Sequence, residues 1–149
     1  MKLVVTIILL ALLSSCGKNA VDLPEPNELF AYIQSEIELP NMVNVVNDFL
    51  EDNIGIEPDE YESAVYYILG VGLSPDEIII VKAKDNAAAA VIKEKLEARL
   101  AYKAKSAEKY LTEYLPMINK GIVRRDGLTV SLIVSEYSEG INNIYRNWE

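Results

Sequence analysis

Glu77-Ile78-Ile79-Ile80-Val81-Lys82-Ala83-Lys84-Asp85-Asn86 is the stretch on which the fold turns. Three consecutive isoleucines and a valine favour extended backbone, because β-branched side chains suit a pleated surface better than a helical one. A strand is expected over 77–84. Ser74-Pro75-Asp76-Glu77 also has the form of a helix-starting capping box, but the isoleucine run outweighs it. Asp85 and Asn86 then offer a cap, and the apolar period changes from two to 3.6. From 87 to about 115 a long helix is expected, with Ala89, Ile92, Leu96, Leu100, Ala107, Leu111, Tyr114 and Ile118 in one stripe. Lys103 falls inside that stripe, where its stem is expected to carry the ammonium out at the edge. Tyr110 and Tyr114, four apart, are expected to pack at the core boundary. Pro116 ends the helix.

Outward from this unit the pattern is β-rich on both sides. The run 63–71 holds Val65, Tyr66, Tyr67, Ile68 and Leu69, and 72–76 supplies turn chemistry. After the long helix, 121–125 and 128–136 read as a hairpin around Asp126-Gly127. Leu128, Val130, Leu132 and Val134 alternate with Thr129, Ser131 and Ser135, giving one buried and one wetter face. Before the strands, Asn27 can cap a helix from Glu28, with Leu29, Tyr32 or Ile33, and Ile37 on one side. Pro40 interrupts it, and helical spacing resumes with Met42, Val45, Val46, Phe49 and Leu50 until 53–55. A last helix is expected over 138–148. The expected fold class is α+β: a four-stranded, mostly antiparallel sheet packed by one long helix, with N- and C-terminal helices.

The chain of 149 residues carries 14 Lys and Arg against 23 Asp and Glu, a net charge of −9. An acidic total argues against nucleic acid as a partner, since phosphate neutralisation needs a basic surface. There is no histidine and one cysteine, Cys16, which removes Ser-His-Asp and Cys-His catalysis, the usual zinc sites and internal disulfides. The acidity is local. Residues 17–62 hold twelve acids and one base, whereas 63–149 hold twelve bases and eleven acids. Such an acidic segment keeps a protein soluble and off anionic headgroups; an attraction for basic partners or divalent cations is the functional counterpart.

Met1-Lys2 followed by the apolar run 3–13 fits a secretory signal and is too short to span a bilayer as a helix. The next residues, Leu13-Ser14-Ser15-Cys16, resemble the lipobox of bacterial lipoproteins. That resemblance implies cleavage before Cys16 and a diacylglyceryl group on its thiol. Two or more acyl chains would attach the chain stably to a membrane. The expected division is a signal peptide over 1–15, lipidated Cys16 and a tether over 16–27, and a single α+β domain over 28–149. The expected location is the extracytoplasmic face of the cell membrane.

Several short phrases together resemble the bacterial lipoprotein family known as domain of unknown function 4358. They are Ile37-Glu38-Leu39-Pro40-Asn41-Met42, Gly55-Ile56-Glu57-Pro58-Asp59, Val81-Lys82-Ala83-Lys84-Asp85, Tyr114-Leu115-Pro116 and Val123-Arg124-Arg125-Asp126-Gly127. The likeness extends over roughly 37–148 and implies a lipid-anchored envelope protein. It implies no catalytic residues.

Candidate sites in the domain are few. Glu51, Asp52, Glu57, Asp59, Glu60 and Glu62 crowd one segment with Asn53, but no register gives the EF-hand spacing, so no metal or other cofactor is expected. Arg124 and Arg125 offer a grip for an anionic group, or else charges that blunt an edge strand. Tyr66 and Tyr67 point to opposite sheet faces, so one packs inward and the other is a candidate binding residue. No catalytic constellation is visible. The expected function is a non-enzymatic module binding an envelope protein or cell-wall component, held on the membrane through Cys16, with strand addition at an exposed hairpin edge as one route. The alternatives are an accessory subunit of a membrane complex and a carboxylate-dependent wall hydrolase.

Overall fold

In the computed structural model, residues 23–72 and 74–148 are described. The signal, Cys16 and most of the expected tether lie outside them. Helix α1 (Pro26–Glu36) starts on a proline, whose fixed φ and missing N–H suit a first helical turn. It starts earlier than Asn27 suggested, because the chain is already docked: Leu23 is buried, and Glu25 bonds to Ser63 Oγ (2.6 Å) and Lys82. Strand β1 (Met42–Asn44) and helix α2 (Val46–Ile54) follow, and Gly55 closes α2 at φ +73°, a left-handed value that favours glycine. Next come β2 (Tyr61–Leu69), β3 (Glu77–Ala83) and α3 (Asn86–Tyr110), whose Asp85 cap accepts from Ala88 N–H at 2.8 Å. A 3₁₀ turn (Thr112–Tyr114), α4 (Leu115–Asn119), the hairpin β4 (Ile122–Asp126) and β5 (Thr129–Val134), and α5 (Ser138–Arg146) complete the described chain.

The sheet is antiparallel with the order β1-β2-β3-β5-β4. It has five strands, one more than expected. The extra one is β1, where the apolar spacing from Met42 predicts a helix. Helical spacing does begin there, but the edge of β2 pairs Met42 with Leu69, Val43 with Ile68 and Asn44 with Tyr67, and those ladder bonds override a weak local propensity. The hairpin turn sits one residue later than expected: Asp126 faces Thr129, and Gly127 takes φ +60°. Strand β4 is an edge strand, as the docking route required.

Both faces of the sheet are covered. Tyr66, Ile79, Val81, Val130, Leu132 and Val134 pack against Ala89, Ile92 and Leu96 of α3, with Leu50 and Ile56 alongside. On the other face Val65, Ile78, Ile80 and Ile133 pack against Leu29, Phe30 and Ile33 of α1 and Ile141 and Tyr145 of α5. The terminal helices thus form a third layer, which makes the central strand β3 apolar on both sides.

The long helix ends at Tyr110, short of the expected 115. Pro116 cannot accept a helix running through its preceding turn, so the backbone leaves the helix at Leu111 (φ −142°, ψ 49°) and restarts. That break leaves Tyr110 exposed at 81%, contrary to expectation, while Tyr114 packs on the core.

Candidate functional site

The strands set up two ends. Ser63, Lys82 and Thr129 lie at the end where Glu25 brings the chain in. Leu69, Glu77, Val134 and Ile122 lie at the opposite end, with the C-terminal half of α3 and α4 above them. Chemistry collects at this second end.

Glu77 opens β3 and is fully buried, on the α3 face. Its carboxylate accepts from Arg99 Nη2 (2.9 Å) and Nε (3.1 Å) and from the Tyr66 hydroxyl, and Lys103 Nζ lies 3.0 Å from Oε2. Burial pushes its ionisation upward, but the Lys103 and Arg99 charges, with the bonds from Arg99 and Tyr66, outweigh that and hold it below the usual carboxylate value. The Tyr66 phenol is pushed above its ordinary value by burial and by the Glu77 charge. Arg99 and Lys103 sit four apart on α3, so one face of the helix delivers both cations to one carboxylate. Lys103 therefore turns inward to an ion cluster instead of running out to water.

Beside this cluster runs a groove of about 260 Å³ whose lining includes Ser74, Arg99, Tyr102, Lys103, Ser106 and Tyr110. Tyr102 is 65% exposed. At the same end of the sheet a larger cleft, about 830 Å³, lies between α4 and the start of α5. Tyr114, Met117 and Ile122 line it together with Lys120, Glu113, Glu136 and Glu139. The three glutamates are exposed, and Glu139 pairs with Arg146 at 2.5 Å.

The residues singled out in the sequence are placed separately. Tyr66 and Tyr67 do point to opposite faces: Tyr66 joins the Glu77 cluster, and Tyr67 stacks on Phe30 with ring centroids 3.6 Å apart. Arg124 forks onto Asp126 (2.6 Å twice), reaches Asn142 Oδ1 (2.5 Å) and lies 4.4 Å over the Tyr145 ring. Arg125 points to the other face and bonds Gly127 O (2.9 Å) and Asn86 Oδ1 (2.7 Å). Arg124 thereby clamps α5 to the edge strand. Arg124→Lys is expected to cost about 1–3 kcal/mol, since lysine cannot reproduce the fork or the stacking. An unchanged urea midpoint would leave Arg124 as a mere surface charge.

The acidic segment does not converge. Glu60 turns to Lys95 (2.6 and 2.8 Å) and to Glu57 N–H (2.7 Å), and no group of three or more metal-ligating side chains forms among the described residues. The cluster that does form was missed because Glu77 lies eleven residues from Tyr66 and more than twenty from Arg99. Only strand pairing and helix packing join them. The available signal was a charged residue opening the apolar run Ile78-Ile79-Ile80-Val81.

No described helix is long and apolar enough to cross a membrane. Residues 35–135 match the sequence profile of a domain of unknown function (DUF4358), a span that takes in all five strands and leaves out most of α1 and α5. No curated protein and no solved structure matches the chain.

Proposed function

The chain belongs to the DUF4358 family, and from that membership we propose that it is a lipid-anchored, non-enzymatic module of the cell envelope. It binds an envelope protein or wall component through the end of the sheet that faces away from the membrane. One observation carries this reading. Glu25, nine residues after Cys16, is bound to Ser63 and Lys82 at one end of the sheet, whereas both clefts lie at the other. Nine residues reach at most about 30 Å. The seven residues of β3 set the clefts roughly 20 Å beyond the anchored end. A lipidated Cys16 would therefore attach the domain through its Lys82–Thr129 end, within about 30 Å of the headgroups, and leave the clefts at the end far from the tether.

The hydrolase alternative draws on Glu113, Glu136 and Glu139 in the larger cleft. A general acid needs a desolvated carboxyl, and these three stand exposed on its rim, an arrangement suited to recognition.

The test is site-specific photo-cross-linking in intact cells. A cross-linker at Met117 or Tyr102 is expected to capture a partner, one at Leu128 in the β4–β5 turn is expected to capture none, and Cys16→Ala is expected to release the protein and abolish capture. Capture from Leu128 alone, or unchanged membrane partitioning of Cys16→Ala, would overturn the reading.

A further inference from the structure

The groove beside Arg99 and Lys103 carries two cations that share a single ion-pair partner among the described residues. Glu77 supplies one negative charge, and Arg99 already bonds both of its oxygens. Lys103, only 15% exposed, is a second cation on the same carboxylate. Asp76 takes its hydrogen bond from Ser74 and forms no ion pair with either cation among the described residues, nor does Asp52, which lies near Arg99. One positive charge is left over at the wall of a groove. Two largely buried cations sharing one carboxylate are only half neutralised, so a purely structural cluster would be better served by one base.

The donors and rings around that charge define what would balance it. Nη1 of Arg99 has no hydrogen-bond partner among the described residues, although every other nitrogen of that guanidinium is engaged. Arg99, Lys103 and Ser106 stand at helical spacing on one stripe of α3, all lining the groove, so their donors are spread along the helix. Tyr102 and Tyr110 add two exposed aromatic rings in the same groove. A carboxylate carries one charge but ends its chain. A phosphodiester carries the same single charge and continues on both sides into chains that the rings can flank.

We propose that this groove binds the phosphodiester group of a polyol phosphate, held by Arg99 and Lys103, with Ser106, Tyr102 and Tyr110 along the flanking polyol. Glu77 is a positioning residue: it fixes both cations and does not touch the ligand. The proposal deepens the binding-module reading and rests on it for the direction in which the groove faces.

The test uses the full lipidated chain in detergent, titrated by calorimetry with a glycerol-phosphate oligomer, with N-acetylmuramic acid as the carboxylate probe. Saturable binding of the oligomer that weakens with salt is expected. Lys103→Met is expected to weaken it by about tenfold, and Lys103→Arg to retain it. Tyr110→Ala, at a side chain exposed enough to leave folding intact, is expected to weaken binding by roughly threefold. No binding by the parent chain, equal binding by Lys103→Met and Tyr110→Ala, or tighter binding of the carboxylate would overturn the proposal. Failure here with capture retained at Met117 would remove this site and leave the binding module standing.

Discussion

Glu77→Gln is expected to lower folding stability by about 3–5 kcal/mol, the cost of leaving buried charges without their partner. Glutamine keeps the shape but not the charge, so Arg99 and Lys103 would face each other across a neutral, fully buried amide, with only their outer sides reaching the groove. The loss is expected to depend on pH. Because the folded protein holds Glu77 below its unfolded ionisation value, the carboxylate contributes stability above the unfolded value, and that contribution fades as pH falls through the folded one. Parent and Glu77→Gln should therefore differ most near neutral pH and converge under strong acid. Urea unfolding at a series of pH values measures this directly. A neutral-pH difference under about 1 kcal/mol would mean that Glu77 is not the ionised hub of the cluster. Replacing the whole set by apolar side chains, Glu77→Leu with Arg99→Met, Lys103→Met and Tyr66→Phe, should recover most of the loss, because the desolvation cost of all three charges goes with them and no buried hydroxyl is left unpaired.

Ile79→Ala and Ile80→Ala are expected to cost about 2–5 kcal/mol each, and similar amounts. They are neighbours on β3 and point in opposite directions. Ile79 enters the α3 layer with Tyr66 and Leu132; Ile80 enters the α1–α5 layer with Phe30 and Tyr145. Both are fully buried. In a sheet covered on one face only, the outward isoleucine would change stability by a few tenths of a kcal/mol, as exposed positions usually do. Thermal or urea unfolding of the two variants separates the alternatives. A near-neutral Ile80→Ala would mean that the terminal helices do not pack as a third layer.

The isoleucine run itself already pointed to this arrangement, since a strand with Ile at both parities has no wet face. Helical spacing places helices at both termini but assigns them no sheet face. Helix α5 shows why: its apolar residues are few, Ile141, Ile144 and Tyr145, with Trp148 just beyond its end, and its seat depends on the Arg124 clamp from a strand eighteen residues earlier. Long-range polar contacts of that kind have no local period. The site suffered the same way. Tyr66 stands out in the sequence as one of two tyrosines on a strand, but its meaning comes from Glu77 on β3 and Arg99 and Lys103 on α3.

By itself, the sequence determined the element types around β2, β3, α3 and the β4–β5 hairpin, the cap at Asp85, and the exclusion of histidine and disulfide chemistry. Each of these follows from residue count, local backbone preference or a short apolar period. Only the tertiary structure decided that Met42–Asn44 becomes a fifth strand, that the sheet is covered twice, and that Lys103 turns inward. Those outcomes depend on free energies earned between distant segments: ladder bonds on an open edge, apolar area shared across layers, and one buried carboxylate whose charge two helical cations must meet.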